Sequence, residues 1–111
     1  GFLGYPMEHK GWNTWINLVE AFTDDARYQF FHFSWAEGTP GNYQRIHVAV
    51  TPENPNLMIE LLNQEDIDVA ILWSIVPETF SFTLHEALAA GCLVITNKKS
   101  GNIQDFIQRF S

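Results

Sequence analysis

The sequence predicts an α/β domain in which a parallel sheet carries helices on both of its faces. Two observations lead to this prediction. Short apolar runs of strand length alternate along the chain with segments of helical period, as in a series of βα units. One of the runs, Val69-Ala70-Ile71-Leu72-Trp73, is apolar at every position. Such continuity is typical of a strand buried on both faces of a parallel sheet.

The first half of the chain supplies three strands and one helix. A short first strand ends at Phe2-Leu3, and a loop of residues 4–11 follows it. The next segment has apolar residues at helical spacing, namely Trp12, Trp15, Ile16, Val19 and Phe22. Alternating apolar residues predict a second strand over 28–35 and a third over 46–50. No convincing helix separates these two strands.

The second half continues the alternation. Asn54-Pro55 predicts the start of a helix, with Asn54 as the N-cap and proline in the first turn. The apolar face of that helix comprises Leu57, Met58, Leu61 and Leu62. The remaining elements are a buried strand, a helix ended by Gly91, another buried strand and a last helix: 69–73, 82–90, 93–95 and 103–110. The order βαβ, β, αβ, αβ, α predicts a Rossmann-like sheet.

Composition limits the classes of function. The 111 residues fit one domain, and the 46% hydrophobic content can build a core. The net charge of −7 argues against a nucleic-acid or anionic-membrane surface, since both require basic residues. Cys92 is the single cysteine, which excludes an internal disulfide and fits a reducing, cytoplasmic compartment. No apolar run approaches the ~20 residues of a membrane span, and no signal peptide is recognisable.

We expect residues 1–111 to form a single domain excised from a larger chain, because the sequence starts without Met and its first strand is short.

Two loops carry the most unusual sequence. In the common doubly wound order the first and fourth strands lie side by side, and ligands bind at their carboxyl ends. Residues 5–11 and 74–81 occupy those ends, and each loop precedes a helix whose N-terminal N–H groups favour anions. Lys10 adds a positive charge that suits a diphosphate. Glu78 and Glu86 suit vicinal hydroxyls instead. Phosphate and polyhydroxyl groups together describe a nucleotide sugar.

The segment Glu78–Gly91 is similar to the donor-site motif of the retaining GT-B glycosyltransferases known as the group 1 family. It has two glutamates separated by seven residues, an aromatic residue soon after the first, and an alanine-rich helix ended by glycine. The flanking segments also resemble the family: Gly4–Gly11, Asp68–Leu72 with Ser74, Leu93–Thr96 and Gly101–Ile107. The resemblance covers nearly the whole chain and matches only the carboxy-terminal, donor-binding half of a GT-B fold.

The resemblance implies a role for each residue that matches the motif. Glu86 would bind the ribose hydroxyls, and Glu78 the hydroxyls of the donor sugar. Lys10 would hold the diphosphate together with backbone N–H groups around Phe80, Ser81 and Phe82. Glu78 and Lys10 would be the catalytic residues.

The implied reaction is sugar transfer with retention from a nucleotide-diphosphate sugar, with no cofactor and no required metal. The carbohydrate or lipid-linked acceptor would bind mainly to an amino-terminal domain that this chain lacks. The implied location is the cytoplasm, with other parts of the protein able to reach the inner face of the membrane.

Two departures from the family pattern leave an alternative open. Tyr5 stands where the family usually has an arginine, and Ser81 where it has a glycine. The first removes a charge that neutralises phosphate, and the second places a side chain where the backbone approaches the donor. A catalytically degenerate domain that serves as a binding or scaffolding module therefore remains the second hypothesis.

The other reactive residue types are assigned structural roles. We expect His9 to be a solvated loop residue, His85 to pack or face solvent, and His32 and His47 to be structural residues of strands. Cys92 should pack as a small hydrophobic residue, and no histidine, cysteine and carboxylate set has metal-ligand spacing. Tryptophans are expected mainly in the core, with one near the crevice: Trp12, Trp15, Trp35 and Trp73.

A receiver domain, another small α/β unit, is set aside. It needs acidic residues after the first strand and a phosphoacceptor aspartate at the end of the third. Gly4-Tyr5 and Val50-Thr51 stand at those places.

Overall fold

The computed structural model describes residues 1–73 and 82–97. These two stretches form an α/β domain with short parallel strands and three α-helices. In chain order the elements are β1 (Phe2–Leu3), a 3-10 helix (Glu8–Lys10), α1 (Trp12–Ala21), β2 (Phe31–Ser34), β3 (Gln44–His47), α2 (Leu57–Gln64), β4 (Val69–Leu72), α3 (Phe82–Ala89) and β5 (Leu93–Thr96). The predicted α/β class is confirmed, as is the connection from β2 to β3 without a helix.

Backbone hydrogen bonds define the order of the strands. β2 lies between β1 and β3, all parallel, and β4 pairs with β5, also parallel. Gly1, just before β1, joins the two groups: its nitrogen donates to the Val69 carbonyl (2.6 Å), and its carbonyl accepts from the Ile71 N–H (2.9 Å). The order is therefore β3-β2-β1-β4-β5, which confirms that the first and fourth strands are neighbours. This order is compatible with a Rossmann-like fold.

Helix α1 covers one face of the sheet with an aromatic core. Trp12, Trp15 and Val19 follow each other at intervals of three and four residues, so they share one side of the helix, and all three are buried. They pack with Phe2 of β1. The Phe2 ring meets Trp12 edge-on with ring centroids 5.0 Å apart, a favourable geometry for aromatic pairs.

Helices α2 and α3 cover the opposite face. Met58 and Leu62 of α2 are four residues apart, Leu84 and Ala87 of α3 are three apart, and all four are buried. They belong to one core with buried strand residues: Leu3, Phe31, Phe33, Val48, Ala70 and Leu72. Cys92 is also buried in this core, as predicted. The three-layer arrangement follows because each helix has a single apolar stripe to bury.

The predicted start of the second helix is wrong. The N-cap of α2 is Asn56, without a side-chain capping bond, and the helix begins at Leu57. Asn54 closes a turn instead: its N–H donates to the Thr51 carbonyl at 3.0 Å and contacts the Thr51 hydroxyl at 3.3 Å. The turn from Thr51 to Asn54 thus ends before the helix begins at Leu57, so Asn54 does not occupy the capping position.

Strand β2 is shorter than predicted, and Trp35 lies outside it and outside the core, with 61% of its surface exposed. The Ala36 N–H donates to the Ser34 hydroxyl (3.0 Å), so a side-chain turn bends the chain away from the sheet directly after Ser34. Trp12 and Trp15 are buried and Trp73 is half-buried, which agrees with the prediction for those three.

The prediction of a fully buried fifth strand is also wrong in the described structure, because Leu93 and Ile95 are 72% and 47% exposed. β5 pairs with β4 on one side, and within residues 1–73 and 82–97 no strand pairs with its other side. Val94 is half-buried against the core. The predicted last helix, 103–110, lies outside the described residues.

A close contact between Gly11 and Trp73 joins the β1–α1 loop to the end of β4. Gly11 has φ of +88°, and a Cβ built on it would lie 2.8 Å from the Trp73 carbonyl carbon. A side chain at this position therefore requires both a strained backbone and a displaced strand end.

We expect Gly11→Ala to lower the free energy of unfolding by about 3 kcal/mol or more, because it adds a steric clash to backbone strain. Gly91→Ala is the matched control: Gly91 has φ of +82°, but no other atom of residues 1–73 and 82–97 lies within 4 Å of its Cβ position. That variant should cost only the strain, about 1–2 kcal/mol. Urea unfolding of both variants measures the difference, and equal losses would contradict the close contact.

Candidate functional site

The carboxyl ends of β1 and β4 lie side by side at the edge of the sheet where the sequence predicts the crevice. The 3-10 helix ends at Lys10, which is half-buried, and Gly11 turns the chain into α1 directly against the Trp73 backbone. The Gly11 turn is fixed by its N–H, which donates to the Glu8 carbonyl at 2.9 Å. The close approach of Gly11 to Trp73 places the Lys10 loop next to the end of β4.

The N-terminus of α1 opens from this loop without a side-chain cap. The Trp12 N–H donates to the Met7 carbonyl (3.3 Å), and the Trp15 N–H donates to the Gly11 carbonyl (3.0 Å) as the first bond of the helical type. The amides of Asn13 and Thr14, between them, precede the helical ladder. Such amides, together with the helix dipole, favour an anion at the helix start.

The first described turn of α3 lies against the end of β1. Gly4 has φ of +106°, and its Cβ position is 3.7 Å from the Thr83 methyl group. Phe82, a predicted donor-binding residue, is 76% exposed at the start of the helix. Three elements therefore meet at this edge of the sheet: the β1–α1 loop, the end of β4 and the start of α3.

Glu86 lies in the middle of α3 between the buried residues Leu84 and Ala87, and it is half-buried. Burial raises the pKa of the Glu86 carboxyl above its usual value. The cause is desolvation, which disfavours the charged form. Hydroxyl groups of a ligand that donate to this carboxylate would stabilise its charge, so the site suits a diol.

The other predicted site residues fall into two groups. Glu78, Phe80 and Ser81 lie outside the described residues. Tyr5 is described at the end of β1, where it is exposed. The structure thus brings the Lys10 loop and the start of α3 to the same edge of the sheet.

An aromatic pair at this edge escaped the sequence analysis. The rings of Tyr5 and Trp35 tilt against each other with centroids 5.3 Å apart, although both side chains are exposed. Arg45 of β3 fixes the backbone at Trp35, because its guanidinium donates to the carbonyls of Trp35 (3.1 Å) and Ala36 (3.3 Å). The one signal in the sequence is position: Tyr5 comes two residues after the predicted first strand and Trp35 is the last residue of the predicted second strand, which places both near the carboxyl edge of a parallel sheet.

His32 of β2 makes a hydrogen bond to the end of β1. It is fully buried, and its Nε2 lies 2.9 Å from the Gly4 carbonyl. A carbonyl only accepts, so Nε2 carries the proton; Nδ1 is buried with no hydrogen-bond partner in the described structure. Burial lowers the pKa of His32, an effect that the Gly4 bond opposes and Arg45 reinforces. The predicted structural role of His32 therefore includes positioning Gly4.

The described part of the chain contains no group of three or more histidine, cysteine or carboxylate residues that could hold a metal ion. It also contains no helix that is long and apolar enough to cross a membrane. Comparison of the sequence and the fold with known protein families, curated proteins and solved structures gave no significant match.

We expect the buried His32 to make stability fall in mild acid. Its folded-state pKa is below the ordinary value of 6.5, so the unfolded chain binds a proton first as the pH drops. The contribution of the neutral His32 to the free energy of unfolding is complete above pH 6.5. It is lost as the pH falls from there through the folded-state pKa. Urea unfolding between about pH 7.5 and pH 5 should show a loss in the wild type that is smaller in His32→Phe. His47→Gln, at an exposed position of β3, should follow the wild type.

We expect Glu86→Gln to stabilise the ligand-free chain at neutral pH by a modest amount, because it removes a desolvated charge. A carboxyl with a raised folded-state pKa stabilises fully below its ordinary pKa and loses that contribution as the pH rises through the folded-state value. The gain should therefore grow between about pH 4.5 and pH 7 in thermal or urea unfolding. Glu60→Gln, at an exposed site on α2, is the control and should change the stability little, as surface substitutions usually do.

Proposed function

We propose that the chain is the donor-binding domain of a retaining glycosyltransferase of GT-B type, which takes its sugar from a nucleotide-diphosphate sugar. The observation that carries the proposal is the junction of the β1–α1 loop with the end of β4, made by the contact of Gly11 with Trp73. This junction brings a lysine and an uncapped helix start to the place where doubly wound sheets bind phosphorylated ligands.

The charges of Lys10 and Glu86 support this assignment. Lys10 supplies a cation at the start of α1, where backbone N–H groups and the helix dipole also favour a diphosphate. Glu86 is a poor partner for phosphate because like charges repel. Its half-buried carboxylate is well suited to the paired hydroxyls of a ribose.

In the proposed reaction the bond between the sugar and the diphosphate breaks, and negative charge develops on the leaving group. Lys10 and the fixed N–H groups would stabilise that charge in the transition state. Glu78 would orient the donor sugar through its hydroxyls. The carbohydrate or lipid-linked acceptor would bind mainly to a second domain, which also explains why this domain alone would be inactive.

A second hypothesis rests on Tyr5. Its exposed ring tilts against Trp35 at the position where the group 1 family usually carries a phosphate-binding arginine. An aromatic ring cannot neutralise a phosphate. A catalytically degenerate module that has kept the fold for binding or scaffolding accounts for this replacement.

We expect nucleotide binding to distinguish the two hypotheses. Titration of the 111-residue chain with UDP, GDP, ADP and dTDP, followed by NMR, should shift the signals of Lys10, Asn13, Thr14 and Glu86, with one base preferred. Lys10→Met and Glu86→Gln should each weaken binding about tenfold or more, because each removes a charge-assisted contact. Matched controls are Arg27→Gln and Glu60→Gln, at exposed charges away from the crevice; both should bind like the wild type.

No shift with any nucleotide at millimolar concentration would favour the degenerate module. Binding that is weakened equally by the variants and their controls would contradict the assignment of the site. Donor hydrolysis or transfer by the full-length protein then tests the enzymatic part of the proposal.

A further inference from the structure

A second concave surface lies at the opposite, amino-terminal edge of the sheet. It is an open groove of about 580 Å³ between the end of α1 and the segments that lead into β2 and β3. Its volume lies within the range of small-molecule sites, about 300–1,000 Å³. Because strands β2 and β3 separate it from the crevice, a role in donor binding does not account for it.

The lining of the groove is polar but uncharged. Among the described residues that line it, none has a charged side chain. Its walls carry amides, hydroxyls and aromatic rings, including those of Thr23, Tyr28, Gln29, Asn42, Tyr43 and Gln44. A chain with net charge −7 therefore presents here a neutral surface with many donors and acceptors.

Tyr28 forms an aromatic platform at the rim. Its ring meets Phe22 edge-on with centroids 5.2 Å apart, and the Arg27 guanidinium lies 5.4 Å from its centroid. Tyr28 nevertheless remains 50% exposed. Asp25 holds Arg27 in a two-pronged ion pair (2.7 Å at its shortest), so the charge beside the platform is compensated. Arg27 and Phe22 thus contact the ring, and half of its surface remains accessible.

Asn42 joins the two walls of the groove. Its amide donates to the Thr23 hydroxyl at 3.4 Å, and that hydroxyl donates to the Val19 carbonyl of α1 at 3.0 Å. This bond uses one amide hydrogen, which leaves the Asn42 oxygen and the second hydrogen with bonding capacity. Gln29 and Gln44 are exposed along the same walls and offer the same pair of groups.

We propose that this groove binds a neutral carbohydrate. Uncharged amides that donate and accept at once match the hydroxyls of a sugar, and the face of an aromatic ring matches the C–H groups on one side of a sugar ring. The absence of charge among the described lining residues disfavours nucleotides, uronic acids and sulfated sugars. The inference does not rest on the proposed transferase activity, because the two sites lie at opposite edges of the sheet.

The test is a titration of the 111-residue chain with maltohexaose, cellohexaose and a mannose hexasaccharide, each to about 10 mM, a range that detects weak complexes. We expect at least one of them to shift the side-chain amide signals of Gln29, Asn42 and Gln44 in NMR spectra. Tyr28→Ala should weaken that binding about tenfold through loss of ring contact. Gln44→Ala should also weaken it, and this second variant leaves the aromatic packing unchanged.

Trp35→Ala is the matched control, since Trp35 is also an exposed aromatic residue but lies at the carboxyl edge; it should bind like the wild type. An oligogalacturonate of equal length should bind more weakly than the neutral sugars. The proposal is overturned if no neutral hexasaccharide shifts the NMR signals of the groove residues, or if Tyr28→Ala and Gln44→Ala both bind the sugars normally. Binding of a proline-rich peptide without binding of the sugars would also overturn it. A failed nucleotide titration leaves these outcomes unaffected.

Discussion

The contact between Gly11 and the Trp73 backbone is the constraint on which the arrangement of this domain depends. β4 follows β3 in the chain but lies beside β1 in the sheet. The β1–α1 loop must therefore pass the end of β4 at short distance. A glycine with positive φ permits this approach without a side chain. Lys10 immediately before it, and the uncapped start of α1 immediately after it, are positioned by the same contact.

Much of the architecture could be predicted from the sequence, because burial leaves a regular pattern. Trp12, Trp15 and Val19 lie on one stripe of α1, and the apolar run of β4 belongs to an interior strand. The sequence pattern gave wrong predictions in two places, one with a local turn and one at the edge of the sheet. Asn54 uses its N–H group in a turn with Thr51, and Leu93 is apolar although β5 is exposed in the described structure. An apolar run indicates a strand but not what covers it.

The candidate site was less predictable, because its parts are distant in the sequence. The loop with Lys10 and the helix with Glu86 could be named from their motifs, and their place at one edge followed from the predicted strand order. The pairing of Tyr5 with Trp35 and the anchoring of Gly4 by His32 depend on packing between β1 and β2. Neither interaction leaves a periodic or compositional trace in the sequence.

The bond from His32 to the Gly4 carbonyl gives the domain an internal reporter of its own state. The imidazole is enclosed by aromatic rings and fixed in one tautomer, with the proton on Nε2 and a bare Nδ1. The two ring nitrogens therefore have distinct magnetic environments as long as Gly4 stays docked. Any occupant of the crevice that pulls the end of β1 away would let the tautomers exchange. Isotopic labelling of the buried His32 side chain would therefore report on movements of the loop that begins at Gly4.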